Sequence, residues 1–221
     1  MPSYDLSQPI ADGMPVYPED PPVDVEPVAT LESDGYRQTA LDIDTHTGTH
    51  IDAPAHMIAD GRTIDEFPVE TFRFAAHRVD CTGLDPRAEI GLAELTAESN
   101  GGLPEAVDLI VVQTGWDDYW GTDCYFDHPY INIEAADWLV DHDVHLAIDA
   151  PNVDPTPTSR ATANESEGYP VHQRLLSSDR LLLENLRGLD RLPVQFELHA
   201  YPLLIHEGDG APVRAVAVVD D

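Results

Sequence analysis

Three histidines and one aspartate fall between His46 and His56, in the segment HTGTHIDAPAH. Their pattern is HxxxHxDxxxH, with no cysteine in the segment, and imidazole and carboxylate side chains of this kind suit Zn²⁺, Mn²⁺ or Fe²⁺. Two histidines and one carboxylate leave coordination positions open, which is typical of a catalytic metal ion rather than a structural one. The alternative is a polar loop with incidental histidines. The close spacing around Gly48 and Pro54 favours the metal site.

No regular element brings these side chains together. His46 and His50 would share one face of a helix, but Asp52 would lie about 200° further round it. A straight strand would place all the donors on one face yet spread them over roughly 20 Å, whereas metal ligands lie about 2.0–2.2 Å from their ion. Gly48 permits a turn, and Pro54 prevents either element from continuing. We therefore predict a strand that runs into a tight loop.

The rest of the chain predicts one α/β domain over residues 1–221. Helices are predicted at Gly91–Glu98 and Asn132–Asp141. Alternating or continuous apolar runs predict strands at Tyr4–Leu6, Pro22–Thr30, Arg37–Thr45, His77–Asp80, Leu109–Gln113, His145–Ile148, Leu181–Leu186, Leu198–Ile205 and Ala215–Val219. The sequence has neither G-x-G-x-x-G nor G-x-S-x-G, which disfavours a dinucleotide-binding fold and a serine hydrolase.

Charge excludes several classes of partner. The chain has 42 acidic and 11 basic residues, a net charge of −31, and every basic residue is Arg. Nucleic acids and anionic membrane surfaces both require basic patches, so neither is an expected partner. The sequence has no apolar run long enough to span a membrane and no signal-peptide pattern at its start, so we expect a cytoplasmic protein. Its acidic surface is typical of a high-salt cytoplasm, because salt screens the self-repulsion.

This interpretation predicts a strong salt dependence of stability. We expect the melting temperature to rise steeply with KCl concentration, because counterions screen the repulsion among 42 carboxylates. Thermal unfolding followed by circular dichroism from low to molar KCl measures the effect. A melting temperature that is indifferent to salt would refute the halophilic interpretation.

The histidine segment resembles the signature of the cyclase family, the kynurenine formamidase-like metal-dependent hydrolases. This resemblance implies the α/β fold of that family, a mixed central β-sheet with flanking helices, and a homodimer or homotetramer. The similarity extends over nearly the whole chain. Further similar segments are Asp5–Pro22, Gly61–Asp65, Thr114–Trp116, Ile148–Asp154, Val171–His172, Leu182–Leu186 and Gly210–Ala217.

The resemblance also implies the ligands of two metal ions. His46, His50 and Asp52 would hold the first ion. Asp52 would bridge to a second ion, which His172 and Glu184 would also hold. The expected metal is Zn²⁺, two ions per chain, with Mn²⁺ as an alternative.

The implied chemistry is hydrolysis of an amide bond by a metal-bound hydroxide, with His56 as catalytic base and acid. The leading activity is that of an arylformamidase, which converts N-formyl-L-kynurenine to L-kynurenine and formate. One alternative is a hydrolase of another cyclic amide or lactone, similar to isatin hydrolase. Another is a metal-bound binding protein for small molecules without catalysis. Relatives often have Gly where this chain has Glu19, and Phe where it has Met57, so the substrate is less defined than the reaction class.

Other candidate residues carry weaker signals. Trp116, Tyr119 and Trp120 are expected to line an aromatic pocket or to pack in the core or a dimer interface. Asp149 and Asp154, each close to a proline, are expected to be turn residues. Six further histidines lack comparable spacing and are expected to have structural or surface roles: His77, His128, His142, His145, His199 and His206.

Overall fold

The computed structural model describes residues 1–97, 102–103 and 106–220. Within these residues the helices are α1 (Leu31–Asp34), α2 (Leu92–Leu95), α3 (Ile133–Asp141) and α4 (Pro170–Leu176). The strands are β1 (Ser3–Asp5), β2 (Asp24–Ala29), β3 (Gln38–Asp42), β4 (His50–Asp52), β5 (Arg73–Asp80), β6 (Glu89–Ile90), β7 (Leu109–Gln113), β8 (Tyr130–Ile131), β9 (His145–Ile148), β10 (Leu182–Glu184), β11 (Gln195–His199), β12 (Gly210–Pro212) and β13 (Val216–Val218).

Nine of these strands form one mixed sheet. Their order is β1-β13-β11-β5-β7-β9-β10-β4-β12. The central strands β5, β7, β9 and β10 are parallel, and antiparallel strands extend the sheet on both sides. The central strand β7 has the sequence LIVVQ and is buried on both faces, as expected of a parallel strand. The prediction of an α/β fold with a mixed central sheet is confirmed.

Two hydrophobic clusters cover the two faces of this sheet. Alternate residues of β7 divide between them, with Leu109 and Val111 in one cluster and Ile110 and Val112 in the other. The second cluster includes the buried apolar residues of α3 and α4, so these two helices lie over that face. Helix α3 begins after Asn132, whose side chain accepts a hydrogen bond from a backbone amide of the first turn.

Strand pairing brings distant parts of the chain into register beside β4. Residues His50 and Glu184 are directly paired across β4 and β10, and Asp52 is paired with Leu182. On the other side of β4, Gly210 of β12 is paired with Asp52. Because paired residues on neighbouring strands project to the same face, this register places Glu184 beside His50.

The histidine segment folds differently from the sequence prediction. We predicted a strand running into a loop, but β3 ends at Asp42 and the turn precedes a second strand, β4, formed by the motif itself. The two expected breaks in regular structure are confirmed. Gly48 has a φ of 63° in the turn, and β4 stops before Pro54, which begins a 3₁₀ turn ending at His56.

Two other predictions need correction. The strand predicted at Leu198–Ile205 is wrong: β11 ends at His199, and Pro202 makes only an isolated bridge. Proline cannot donate to a sheet, which explains the early end of the strand. The predicted helix Gly91–Glu98 is present only as α2, Leu92–Leu95, and Glu98 lies outside the described residues.

The helices of the described chain are short. The longest, α3, has nine residues, and no helix among the described residues is long and apolar enough to cross a membrane.

Candidate metal centre

The turn before β4 folds His46 back against the strand. The Gly48 carbonyl accepts hydrogen bonds from the His50 ring (2.8 Å) and the Asn185 side chain (3.0 Å). The Asp44 carboxylate accepts one from the His46 backbone amide (2.9 Å). The ring centroids of His46 and His50 consequently lie 5.1 Å apart.

Asp52 lies between two groups of metal-binding side chains. Its Oδ1 is 2.7 Å from Nδ1 of His46 and 3.2 Å from Nε2 of His50, while its Oδ2 is 3.6 Å from Nε2 of His172. Nε2 of His172 is also 3.3 Å from Oε1 of Glu184. We call His46, His50 and Asp52 the first donor group, and Asp52, His172 and Glu184 the second donor group. The structure therefore brings together all five residues expected to bind metal.

The two donor groups fit divalent metal ions. Two ligands bound tetrahedrally at about 2.1 Å from one ion lie roughly 3.4 Å apart, and the separations within the groups, from 2.7 to 3.6 Å, bracket that value. The Oδ2 atom of Asp52 is buried without a hydrogen-bond partner among the described residues. A buried carboxylate oxygen in this state calls for a partner that the neighbouring side chains do not supply, and a metal ion is one such partner. Nitrogen and oxygen donors without sulfur suit Zn²⁺ or Mn²⁺.

Contacts behind the donors fix the orientation of two imidazoles. Nδ1 of His50 donates to the Gly48 carbonyl, and Nδ1 of His172 faces Oδ2 of Asp154 at 2.8 Å. In both rings Nε2 is thereby directed at the donor group, the arrangement typical of metal-binding histidines. Asp154, expected as a turn residue, is instead fully buried and also accepts the backbone amides of Val171 and His172. Asp154 orients His172 because α4 packs against it, and the sequence around Asp154 gives no sign of this contact.

Without a metal ion, protons supply the positive charge at this site. Burial of His46 lowers its pKa, but the Asp52 charge and hydrogen bonds to Asp209 and Asp52 outweigh burial and raise the pKa to about 10. The same competition raises the pKa of His172, because three neighbouring carboxylates outweigh its burial. Burial favours protonated Asp52, but His50 and His46 hold the pKa of Asp52 well below its ordinary value. A metal ion must therefore displace protons.

We expect metal affinity to increase with pH. If metal binding releases one proton from an imidazole, the apparent metal affinity increases about tenfold for each unit by which the pH rises. This increase continues up to the pKa of that imidazole in the metal-free protein. Since the pKa of His46 is raised to about 10, the metal-free protein should lose stability as pH rises toward that value, while metal binding strengthens. Competition of the protein with a chelator for Zn²⁺ at several pH values tests this. A pH-independent affinity would contradict proton displacement.

His56 lies next to the first donor group. Its ring centroid is 4.0 Å from that of His46 and 6.1 Å from that of His172. Burial lowers the pKa of His56 below its ordinary value, with the charges of Asp52 and Asp209 acting in the opposite direction. At neutral pH this imidazole is uncharged and can accept a proton. Asp209, whose Oδ2 lies 3.6 Å from Nδ1 of His56, was not identified from the sequence.

The donor groups lie in a cavity of about 440 Å³. Its aromatic walls come from separate segments of the chain, namely Tyr17, Trp120, Tyr125, Phe126 and Tyr169. Of the three aromatic residues considered from the sequence, Trp120 lines this cavity, whereas Trp116 is in the core and Tyr119 is exposed.

The two departures from the family pattern have distinct positions. Glu19 has a φ of 81°, a left-handed conformation that glycine adopts without strain. This conformation is consistent with the glycine that the family resemblance leads us to expect at this position. Met57 lines the cavity, where the family resemblance leads us to expect Phe, and its flexible side chain can adapt to a bound molecule.

The remaining histidines lie outside both donor groups. His128 is buried, with its ring between the Thr156 hydroxyl (2.9 Å) and the Pro129 carbonyl (2.8 Å). His206 is 87% exposed beside Asp65. Asp149 accepts hydrogen bonds from Thr114 and the Gly115 amide, joining the ends of β9 and β7, which agrees with its expected structural role.

Together, the mixed sheet and two adjacent His/Asp/Glu groups define a metal-binding α/β protein. The model of the Cyclase family matches residues 4–155, and the chain belongs to that family. The family and fold expected from the sequence are confirmed.

Solved structures similar to this chain have hydrolase names. Isatin hydrolase A from Ralstonia solanacearum is 25% identical with a TM-score of 0.87, covering 99% of this chain and 92% of the other. Isatin hydrolase A from Labrenzia aggregata, bound to benzyl benzoate, is 26% identical with a TM-score of 0.86, covering 100% and 94%. A potential metal-dependent hydrolase with cyclase activity is 27% identical with a TM-score of 0.77, covering 98% and 96%.

Proposed function

We propose that the protein is a metal-dependent hydrolase of an amide bond attached to an aromatic ring. The observation that carries the proposal is the position of two donor groups, joined by Asp52, in an aromatic-lined cavity beside an uncharged His56. His46, His50, Asp52, His172 and Glu184 are the proposed ligands. The similar solved structures named as hydrolases support the same reaction class.

In the proposed mechanism the donor groups hold the metal ion, and His56 transfers the proton. A divalent ion supplies Lewis acidity, which lowers the pKa of water and stabilises negative charge on a carbonyl oxygen. His56 accepts the proton that water loses as it attacks the amide carbon. The C–N bond then breaks, and His56 returns the proton to the leaving nitrogen. Its lowered pKa keeps the imidazole in the base form at neutral pH.

The cavity lining favours a neutral aromatic substrate. A volume of about 440 Å³ accommodates a small aromatic molecule. No arginine lines the cavity in the part of the chain that the structure describes, so a substrate carboxylate finds no guanidinium group to pair with, and the only basic side chains there are the histidines of the site. A cyclic aryl amide of the isatin type carries no such carboxylate. The names of two similar structures agree with this substrate class.

N-formyl-L-kynurenine, the leading substrate expected from the sequence, is the second candidate. The cavity is bordered by Asp20 and Asp44, whose carboxylates can pair with the ammonium group of this amino acid. The acidic residues of the lining thus support arylformamidase activity, whereas its lack of arginine supports isatin hydrolysis.

Parallel assays distinguish these candidates. The purified protein in molar KCl, with Zn²⁺ or Mn²⁺, is given isatin and N-formyl-L-kynurenine, each with and without a chelator. Chelator-sensitive opening of isatin without formate release supports the cyclic-amide hydrolase. Chelator-sensitive formate release alone assigns arylformamidase. Bound metal with no turnover of either compound, or of a panel of aryl amides and lactones, would leave the non-catalytic binding protein.

We also propose a homodimer in which the β2–β3 hairpin is part of the interface. These strands pair only with each other in the described chain and lie outside the main sheet. The segment exposes Val28, Leu31, Tyr36 and Leu41, each more than half exposed. An isolated two-stranded hairpin is marginally stable, so a partner surface would stabilise it. We expect a dimer in sedimentation experiments and a monomer after Leu41→Asp; a monomeric native protein would contradict the proposal.

A further inference from the structure

Asp209 lies beside the metal centre although it is remote from the other site residues in the sequence. It directly precedes β12, the edge strand paired with β4. The Ala53 amide donates to the Asp209 carbonyl (2.9 Å), which continues the pairing past Asp52. The backbone of Asp209 is therefore held at a fixed position along β4.

The Asp209 carboxylate contacts two histidines of the site. Its Oδ2 is 3.1 Å from Nε2 of His46 and 3.6 Å from Nδ1 of His56. Its Oδ1 accepts a hydrogen bond from the Thr45 hydroxyl (2.9 Å). One oxygen thus faces a proposed metal ligand and the proposed base, while the other anchors the carboxylate.

The residue after Asp209 must be glycine for this approach. A Cβ atom on Gly210 would lie 3.0 Å from Cε1 of His46 and 2.9 Å from the Ile51 carbonyl oxygen. Such contacts are too short, so any larger residue would push the segment away from His46. Gly210 and Thr45 together hold the Asp209 carboxylate against the two rings.

We propose that Asp209 is a positioning residue that orients His46 and His56 together. Nδ1 of His46 faces Asp52, so Asp209 contacts the opposite nitrogen, as an outer carboxylate does in many metal sites. Oδ2 of Asp209 also lies 3.6 Å from Nδ1 of His56, which leaves Nε2 as the ring nitrogen available to accept a proton from water. The second part rests on the proposed hydrolase function; the first requires only metal binding.

A purely structural role does not fit the exposure of this side chain. The Asp209 side chain is 42% exposed, and a partly solvated ion pair contributes little to stability. Removing its charge should consequently change the metal centre more than the fold.

The test compares Asp209→Asn with a matched control, Asp65→Asn. Oδ2 of Asp65 faces the exposed His206 ring at 3.2 Å, so this control removes the charge of another Asp–His pair, away from the cavity. Zinc affinity is measured by competition with a chelator, and kcat and KM are measured at saturating zinc. For Asp209→Asn we expect about tenfold weaker zinc binding or more and about a tenfold lower kcat or more, with KM nearly unchanged. Asp65→Asn should change none of these values.

Native zinc affinity and native kcat in a folded Asp209→Asn protein would overturn the proposal. If that variant does not fold, Thr45→Val replaces it, because it removes the hydrogen bond that anchors the carboxylate. A smaller loss in the same direction supports the proposal, and unchanged values overturn it. A native protein that binds zinc but hydrolyses no amide contradicts the proposed function, whereas the zinc affinity of Asp209→Asn still tests the contact with His46.

Discussion

Replacing Asp52 with asparagine will abolish stable metal binding and, with it, hydrolysis. Oδ1 of Asp52 faces His46 and His50, and its Oδ2 faces His172, so a single substitution removes the carboxylate charge from both donor groups. The amide of asparagine offers one uncharged oxygen, which would be a weaker ligand in either donor group. A divalent ion lowers the pKa of bound water from about 15.7 to about 7, so we expect activity to fall on the order of 10³-fold or more.

Metal analysis of the purified Asp52→Asn protein measures the first effect, and the substrate assay measures the second. Asp149→Asn is the control, because Asp149 is also a completely buried aspartate but contacts Thr114 and Gly115 instead of the donor groups. We expect Asp149→Asn to retain its metal even if its stability falls. Full metal occupancy in Asp52→Asn would show that Asp52 is not the shared ligand.

Replacing His56 with alanine will lower the rate while metal content stays unchanged. The His56 ring adjoins that of His46 and forms a third, more exposed set of possible metal-binding side chains with His46 and Asp209, but it lies outside the first and second donor groups. Loss of a general base and acid costs about 10²–10⁴-fold in rate. We therefore expect kcat to fall within that range, with metal occupancy equal to that of the native protein.

The pH profile adds a second test of His56. With metal kept at saturation at each pH, the lowered pKa of His56 means that activity should fall only when the pH drops below the ordinary range of histidine, as the base becomes protonated. This acidic limb should disappear from the residual activity of His56→Ala. His206→Ala, which removes a largely exposed ring, serves as the control and should leave the profile unchanged. Full turnover by His56→Ala would exclude His56 as the base.

The metal centre places several negatively charged side chains close together. Asp52, Asp154 and Glu184 are all buried around His172, and burial of several carboxylates is unfavourable without positive partners. Protonated imidazoles provide that charge in the metal-free protein, and a divalent ion provides it in the loaded protein. Burial of these carboxylates is unfavourable without a cation, and for the same reason the site binds cations in preference to neutral or negative groups.

The local sequence determined the chemistry of the donors and the need for a turn. His46, His50 and Asp52 are so close in sequence that only a bend could join them, and Gly48 and Pro54 mark its limits. Apolar patterning likewise predicted β7 and α3, because burial on one or both faces leaves a short-range signature. His172 and Glu184 came from family resemblance, since nothing in their own neighbourhoods indicates metal binding.

Only the tertiary structure decided how the remote residues complete the site. Glu184 meets His50 through the register of β10 with β4, and Asp209 reaches His56 because β12 pairs with the other edge of β4. Asp154 becomes a partner of His172 because α4 packs over the sheet. Strand register depends on hydrogen bonds and packing between segments far apart in the chain, and it leaves no local pattern by which these side chains could be paired beforehand.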